Sequence, residues 1–475
     1  METIDTFFFF FMTFTRHSFA NTLTYLILFL LPWQTQWIFF QATLNGEVWE
    51  YGKLYVSVVE VLILLTLLVR GRPRWLSGSW GVLRMSFIFL GTCLIASSTA
   101  WFSLGATVHV MHVLVAFALF SLLCDVEIQT RKVIIAFLLG LIIPSCLGWY
   151  QVLTGLSPAF TWFGLSAQDA LQAGASVVET GSERLLRAYG SFPHPNIFGG
   201  YLAVGVLLLA WLAQQKRFFS FDQLAFITTF LFKQLSSSFF DFQKIRALFF
   251  SWFGRFLGLR LGLPLFALLL ASTLVITFSR SAWLGLFLGI VVMGGFFLWF
   301  KIPFQKNFRI VAGCIFLALF CTTVYFWPAI STRVEATSRL ENISLEERVS
   351  GYQFVDDVVF YNPVTGVGPE GYTVALSAVI PNQDVWFYQP VHNTFLLILS
   401  ELGLIGFVAF LLWVNSIDLL AYRKACTRGG AMSMALGCVV LVIALFDHYP
   451  WSQWSGLVLL AFVFAMMTRF SLEER

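Results

Sequence analysis

The sequence predicts an all-α fold, a polytopic transmembrane bundle of about twelve helices with a large loop on one side that carries an amphipathic helix. Three observations predict it. Of 475 residues, 58% are hydrophobic and only 11% are charged, where a soluble domain carries roughly 25% charged. Apolar runs near the ~20 residues needed to cross a bilayer recur along the whole chain. Lysine and arginine then divide unevenly between alternate loops. The mean hydropathy of +0.80 excludes a disordered chain. A net charge of +4 over this length leaves no concentrated basic face for nucleic acid. The seven cysteines lie in or beside apolar runs, with no CxxC pair, zinc spacing or disulfide framework. The start, Met-Glu-Thr-Ile-Asp, lacks the basic region of a cleavable signal.

Spans are expected near 18–38, 53–70, 83–101, 104–123, 133–153, 196–214, 262–279, 281–300, 309–327, 391–413, 432–447 and 452–469. Asn45-Gly46, Gly71-Arg72-Pro73 and Gly429-Gly430 are turn signals between them. With both termini in the cytoplasm, Lys53, Arg184, Arg187, Arg280, Arg333, Arg339 and Arg348 fall outside and the other 22 of the 29 basic residues fall inside. Residues 215–261 mix Phe pairs with spaced charges and read as amphipathic helices in the cytoplasmic interface, or as a hairpin of two further spans. Two long loops, about 155–195 and 328–390, face outward, so chemistry or binding is expected there. The chain thus divides into N-terminal transmembrane helices, 1–180, and a region 181–475 that holds both the interfacial segment and the larger outer loop.

The first outer loop ends Arg187-Ala188-Tyr189-Gly190-Ser191-Phe192-Pro193-His194-Pro195-Asn196. Its prolines set an extended approach to the next helix, which Asn196 is suited to cap. Arg187 either snorkels to the headgroups or serves the site. Arg280 sits in the tight turn Ser279-Arg280-Ser281 between two spans, beside Trp283. In the second loop Ser344-Leu345-Glu346-Glu347 fits a capping box, and Leu345, Val349, Tyr352, Val355 and Val359 form a helical stripe that stops before Asn362-Pro363. Arg348 lies one turn in and could pair with Glu347 or Asp356. The loop closes Gln389-Pro390-Val391-His392-Asn393-Thr394-Phe395, which places His392 at a helix N-terminus facing out. A neutral imidazole there can take a proton from a hydroxyl, or simply cap the helix. Asp447, in Asp447-His448-Tyr449-Pro450, could orient it. Arginine forks hold phosphate oxygens and stay charged. Arginines beside a base therefore suit displacement of a diphosphate leaving group, and no outward Asp/Glu-rich metal motif accompanies them.

In four stretches the sequence resembles the O-antigen ligase and polymerase superfamily of bacterial envelope glycosyltransferases. These are Gly190-Ser191-Phe192-Pro193-His194-Pro195-Asn196; Ser279-Arg280-Ser281-Ala282-Trp283; Arg348 followed by Asn362-Pro363-Val364-Thr365-Gly366-Val367-Gly368; and His392-Asn393-Thr394-Phe395 through Glu401-Leu402-Gly403-Leu404-Ile405-Gly406. The resemblance covers roughly 185–470. It implies a GT-C-like fold in the bacterial inner membrane and transfer of a glycan from undecaprenyl diphosphate at the periplasmic face. The acceptor would be lipid A-core, another lipid-linked repeat or a protein hydroxyl. His392 would be the base, and Arg280, Arg348 and Arg187 would hold the diphosphate. Asn393, Asp447, His194 and Tyr352 would support them, with no metal and no cofactor. A lipid-linked glycan transporter or flippase is the alternative from a different class.

Overall fold

The computed structural model describes residues 16–181, 183–215, 262–335 and 338–473. The expected interfacial segment 215–261 lies, Gln215 apart, outside them. With no water to satisfy backbone polar groups in a bilayer, apolar runs fold as helices. Among the described residues nine helical stretches are long and apolar enough to cross a membrane.

In chain order, α1 (Arg16–Leu30) is followed by a hairpin of β1 (Gln36–Leu44) and β2 (Glu47–Ser57), then α2 (Val58–Arg70), α3 (Trp80–Ser97) and α4 (Ser103–Leu123). Next, α5 (Thr130–Gly140) and α6 (Ile142–Thr154) together make one crossing. Short strands β3 (Leu156–Ser157), β4 (Gln168–Asp169), β5 (Val177–Thr180) and β6 (Glu183–Leu186) fill the first outer loop. Then come α7 (Pro195–Gln214), α8 (Gly262–Ile276), α9 (Arg280–Trp299) and α10 (Lys306–Tyr325). The second outer loop folds into α11 (Trp327–Glu335), α12 (Arg339–Gln353), α13 (Val355–Tyr361) and α14 (Tyr372–Val379). The chain closes with α15 (Thr394–Arg423), α16 (Arg428–Phe446), the single turn α17 (Tyr449–Ser452) and α18 (Trp454–Glu473). Helices α7 and α18 are central, each 94% buried over its membrane-length stretch, while α9 and α10 lie outermost, at 39% and 28%. The candidate site stands at one end of the two central helices.

Three expectations need correction. The spans 18–38 and 53–70 shorten to α1 and α2, of 15 and 13 residues, about 22 and 20 Å at 1.5 Å per residue. Between them the chain pairs as antiparallel strands, so the fold is mostly rather than wholly helical. The stretch is rich in the aromatic and β-branched residues that favour strands, and Asn45 and Gly46 both take positive φ, 53° and 85°, the tight hairpin turn whose twist matches paired strands. The outer amphipathic helix begins earlier than its Ser344 box. Ser338 is the N-cap of α12, its Oγ accepting from Glu341 N at 3.3 Å. Its end before Asn362-Pro363 holds, after a break near Phe354 that separates α13. The third correction is Asn196, taken up below.

The Glu401-Leu402-Gly403 stretch is a built break in α15. Gly403 takes φ 64° and ψ −171° inside the helix. Backbone from the 363–368 loop enters the gap: Val367 N donates to Ser400 O (3.0 Å), Gly368 N to Glu401 O (2.9 Å) and Leu404 N to Pro363 O (2.9 Å). A Cβ on Gly403 would lie 2.4 Å from the Val364 carbonyl, and one on Gly366 2.2 Å from the Glu401 carbonyl. At the opposite end of the bundle, Arg70 Nε donates to Asp125 Oδ2 (3.0 Å), and buried Arg469 donates to the carbonyls of Leu123 and Asp125 (2.6 and 2.9 Å). Basic residues that the charge bias assigns to one side thus share one end.

Gly403→Ala combines strain with overlap and is expected to destabilise the protein by about 3 kcal/mol. Gly46→Ala, also at positive φ but with nothing within 4 Å, is expected to cost about 1 kcal/mol. Thermal unfolding in detergent separates the two; equal losses would contradict the account of the break.

Candidate active site

The N-terminal end of α7 sets the frame. Pro193 and Pro195 hold the chain extended, and His194, at φ −145°, is the helix cap, its Nδ1 accepting from Asn196 N at 3.1 Å. His194 Nε2 shares a hydrogen bond with Ser176 Oγ (3.2 Å). The capping role expected of Asn196 thus falls to His194, because a proline at the first helical position leaves the next N–H as the one to satisfy. The freed amide of Asn196 bridges inward: its Oδ1 accepts from Arg187 Nη2 (2.6 Å) and its Nδ2 donates to Asp447 Oδ2 (2.9 Å).

Arg187 is 5% exposed, and its Nε donates to Thr277 O (2.8 Å) in the turn between α8 and α9. It therefore faces into the protein rather than toward an open surface, unlike the third diphosphate ligand the resemblance implies. Asp447, just past the end of α16, collects the rest. Ser281 Oγ donates to its Oδ2 at 3.5 Å, and Thr394 Oγ1 donates to its main-chain carbonyl at 2.8 Å. Its Oδ1 stands 3.8 Å from His392 Nδ1.

His392 does not cap α15. Asn393 does, its Oδ1 accepting from the N–H groups of Phe395 and Leu396 at 3.0 and 3.1 Å, while its Nδ2 donates to Leu445 O (3.1 Å). The imidazole is left one-fifth exposed. Tyr352 Oη donates to His392 O (3.2 Å), tying α12 across the site, and His392 itself lines a small cavity of about 40 Å³ with Phe354, Trp386 and Pro390. The His448 ring lies 5.0 Å from that of His392, and His448 Nδ1 shares a 2.6 Å hydrogen bond with Ser452 Oγ.

The arginines gather on the α12 side. Arg280 Nη1 donates to Arg333 O (2.9 Å), and its Nη2, without a hydrogen-bond partner, lies 3.4 Å from Glu341 Oε2. Glu341 also pairs with buried Arg333, whose Nη2 donates to Phe278 O (3.0 Å). Arg348 acts electrostatically on Arg280, Asp447 and His448, and its Nε has no hydrogen-bond partner. Expected residues far apart in sequence, His392, Asp447, Arg280 and Arg348, thus stand at one end of the bundle. Arg333 and Glu341 join them unforeseen, and the second histidine, of the Asp447-His448 turn, joins them too. The three-residue spacing from Ser338 to Glu341 was a legible capping pattern; that the Glu341 side chain would turn to two arginines was not.

Electrostatics sets the charges. Burial pushes the Asp447 carboxyl up, but His392, His448 and Arg348 outweigh it and hold the group at about 2. Burial, aided by His392, lowers His448 to about 3, and burial with Arg187 lowers His194 to about 3. Asp447 is thus an anion and both histidines are neutral near pH 7. His392, Asp447 and His448 are also the described residues whose donor atoms, all within 4.8 Å, are spaced to hold a metal ion.

This geometry defines a polytopic membrane protein with a histidine–carboxylate pair and arginines at one end of its bundle. Residues 265–411 match the family model described as O-antigen ligase, a match that supports the resemblance to the O-antigen ligase and polymerase superfamily over this region. The matched stretch holds Arg280, Arg333, Glu341, Arg348, Tyr352 and His392; Arg187, Asn196 and Asp447 lie outside it. No curated protein matches the chain.

The shifted groups fix how stability responds to acid. Unfolded, His194 and His448 take up protons as pH falls through 6.5, whereas the folded chain refuses them until about 3. Asp447 does the same between 3.8 and about 2. Stability should be full above about pH 6.5 and decline below it, by at most ~1.4 kcal/mol per pH unit for each imidazole. Melting curves from neutral to acid pH measure this, and His448→Gln should make the decline shallower; a melting temperature that rises on acidification contradicts the assignment.

Proposed function

We propose that the protein is an integral membrane glycosyltransferase that moves a glycan from undecaprenyl diphosphate to an acceptor hydroxyl in cell-envelope polysaccharide synthesis, in the manner of an O-antigen ligase. The observation that carries the reading is His392, inside the matched region, facing a carboxylate held by Asn196, which Arg187 fixes in turn, with guanidinium N–H groups of Arg280 and Arg348 that have no hydrogen-bond partner.

Asp447 faces Nδ1 of His392 and so favours the tautomer with its proton there, leaving the Nε2 lone pair as acceptor. The 3.8 Å separation is long for a hydrogen bond, and such bonds tighten once substrate is bound. His392 Nε2 takes the proton from the acceptor hydroxyl, and the oxygen attacks the anomeric carbon. The bond from that carbon to the phosphate oxygen breaks, with inversion. Arg280 and Arg348 hold the charge that develops on the departing undecaprenyl diphosphate, the work a divalent cation does elsewhere. Arg187 serves as a positioning residue, fixing Asn196 and through it Asp447. The acceptor is lipid A-core or a related glycan. The excess of Lys and Arg on the side opposite the site supports a bacterial inner-membrane location with both termini cytoplasmic and the site facing the periplasm.

His392→Ala is expected to lower transfer in isolated membranes by about 10²–10⁴-fold, the usual worth of a general base. Arg280→Lys and Arg348→Lys should each lower it about tenfold or more, because an ammonium cannot replace a bidentate fork. EDTA should leave the wild-type rate unchanged. Full activity in His392→Ala and Arg280→Lys together would falsify the reading, and loss with EDTA would move the chemistry to a metal at His392, Asp447 and His448.

A further inference from the structure

A second polar cavity, of about 120 Å³, lies beside this group. Glu50, Tyr51 and Lys53 of β2, His109 of α4, Gln453 and Glu370 line it. Only Glu370 belongs to the matched region 265–411; the others lie outside it.

The cavity is a built site. His109 is 2% exposed, with Nδ1 2.9 Å from Glu370 Oε1, while its Nε2 is buried without a hydrogen-bond partner. A buried donor or acceptor is ordinarily satisfied, so an orphan on a cavity wall points to an absent partner. Glu370 is a non-glycine residue at φ 58°. The turn from Gly368 to Gly371, closed by Gly371 N donating to Gly368 O at 2.9 Å, holds it in this strained form. Strain of this kind persists where surrounding structure enforces it, often at ligand sites. The cavity also adjoins the base: Ser452 on its wall is the hydrogen-bond partner of His448, the Tyr51 ring lies 6.0 Å from that of His448, and His448 stands next to His392.

Two carboxylates on the wall disfavour a phosphate or diphosphate, so the donor's leaving group does not belong here. Hydroxyl groups, each a donor and an acceptor, suit carboxylate, ammonium, amide and imidazole together, and an aromatic ring suits the C–H face of a sugar. We infer that this cavity is an acceptor subsite and holds the terminal pyranose of the acceptor glycan, delivering its hydroxyl past His448 to His392. Glu370 and Glu50 accept from ring hydroxyls, Lys53 and Gln453 donate to them, and His109 Nε2 gains its missing partner. Acceptor choice then resides largely outside the matched region, in β2 and α4, while donor chemistry resides inside it. The placement next to His392 rests on the proposed function; the binding of a sugar does not.

The test uses the full-length protein in lipid nanodiscs and saturation-transfer NMR with methyl glucoside, galactoside, mannoside and N-acetylglucosaminide at millimolar concentration. At least one is expected to receive saturation, with its dissociation constant raised about tenfold by Glu370→Gln, which removes a charged hydrogen-bond acceptor. Glu50→Gln, at an exposed position of β2, probes the same wall without disturbing the His109 pair and should weaken binding in the same direction. No saturation of any pyranoside, or unchanged affinity in both glutamate variants, overturns the subsite. Transfer to a serine-containing peptide in preference to any glycan overturns it as well. Glutamate-sensitive sugar binding together with full transfer activity in His392→Ala would leave the subsite standing and remove the proposed mechanism.

Discussion

One buried carboxylate holds the site end of this bundle together. Asp447 follows α16, yet it takes hydrogen bonds from Asn196 at the start of α7 and Ser281 at the start of α9, and its own carbonyl takes one from Thr394 at the start of α15. Four helix ends are thereby tied to one residue in a setting where an unpaired buried charge is expensive. The compensation is local and complete enough that the carboxyl stays ionised at about 2 despite burial. His392 is the neighbour left facing Asp447 without a hydrogen bond of its own at Nδ1. An imidazole placed so is oriented and electrostatically supported while its other nitrogen remains available.

Around that centre the arginines differ in what they can do. Arg187 and Arg333 are buried and donate to carbonyls, an amide oxygen and a carboxylate, so they shape turns, although Arg333 Nε has no hydrogen-bond partner. Arg280 and Arg348 keep N–H groups without hydrogen-bond partners. The Thr277–Ser279 turn receives Arg187 from one side and Arg333 from the other, which fixes where Arg280 leaves the start of α9. Glu341 then neutralises part of the positive charge that four outer arginines would otherwise concentrate.

The glycine motifs behave as structural parts rather than as a ligand loop. Gly403 opens α15 and Gly366 lets the 363–368 backbone enter, so the broken helix and the loop complete each other's hydrogen bonds. Taken alone, Gly366-Val367-Gly368 reads as a tight turn. Its role depends on a helix almost forty residues later in the chain and is invisible to any local pattern. The same holds for the β1–β2 hairpin: the expected spans 18–38 and 53–70 run into its two ends, and only pairing across Asn45-Gly46 shows that residues 36–38 and 53–57 leave the helical register.

The sequence by itself determined the membrane-embedded helical class, the approximate positions of the long apolar helices and the short list of polar residues worth examining. Each follows from transfer free energy and periodicity, properties of a window of about twenty residues. Tertiary structure alone decided which arginines turn inward, that His194 rather than Asn196 caps α7, that Asp447 meets His392, and that β2 and α4 close a second cavity beside them. Those outcomes depend on pairings between residues from 9 to 251 positions apart, and a buried polar group takes whichever partner the packing brings within reach. That competition is settled in three dimensions, where spacing along the chain carries little information.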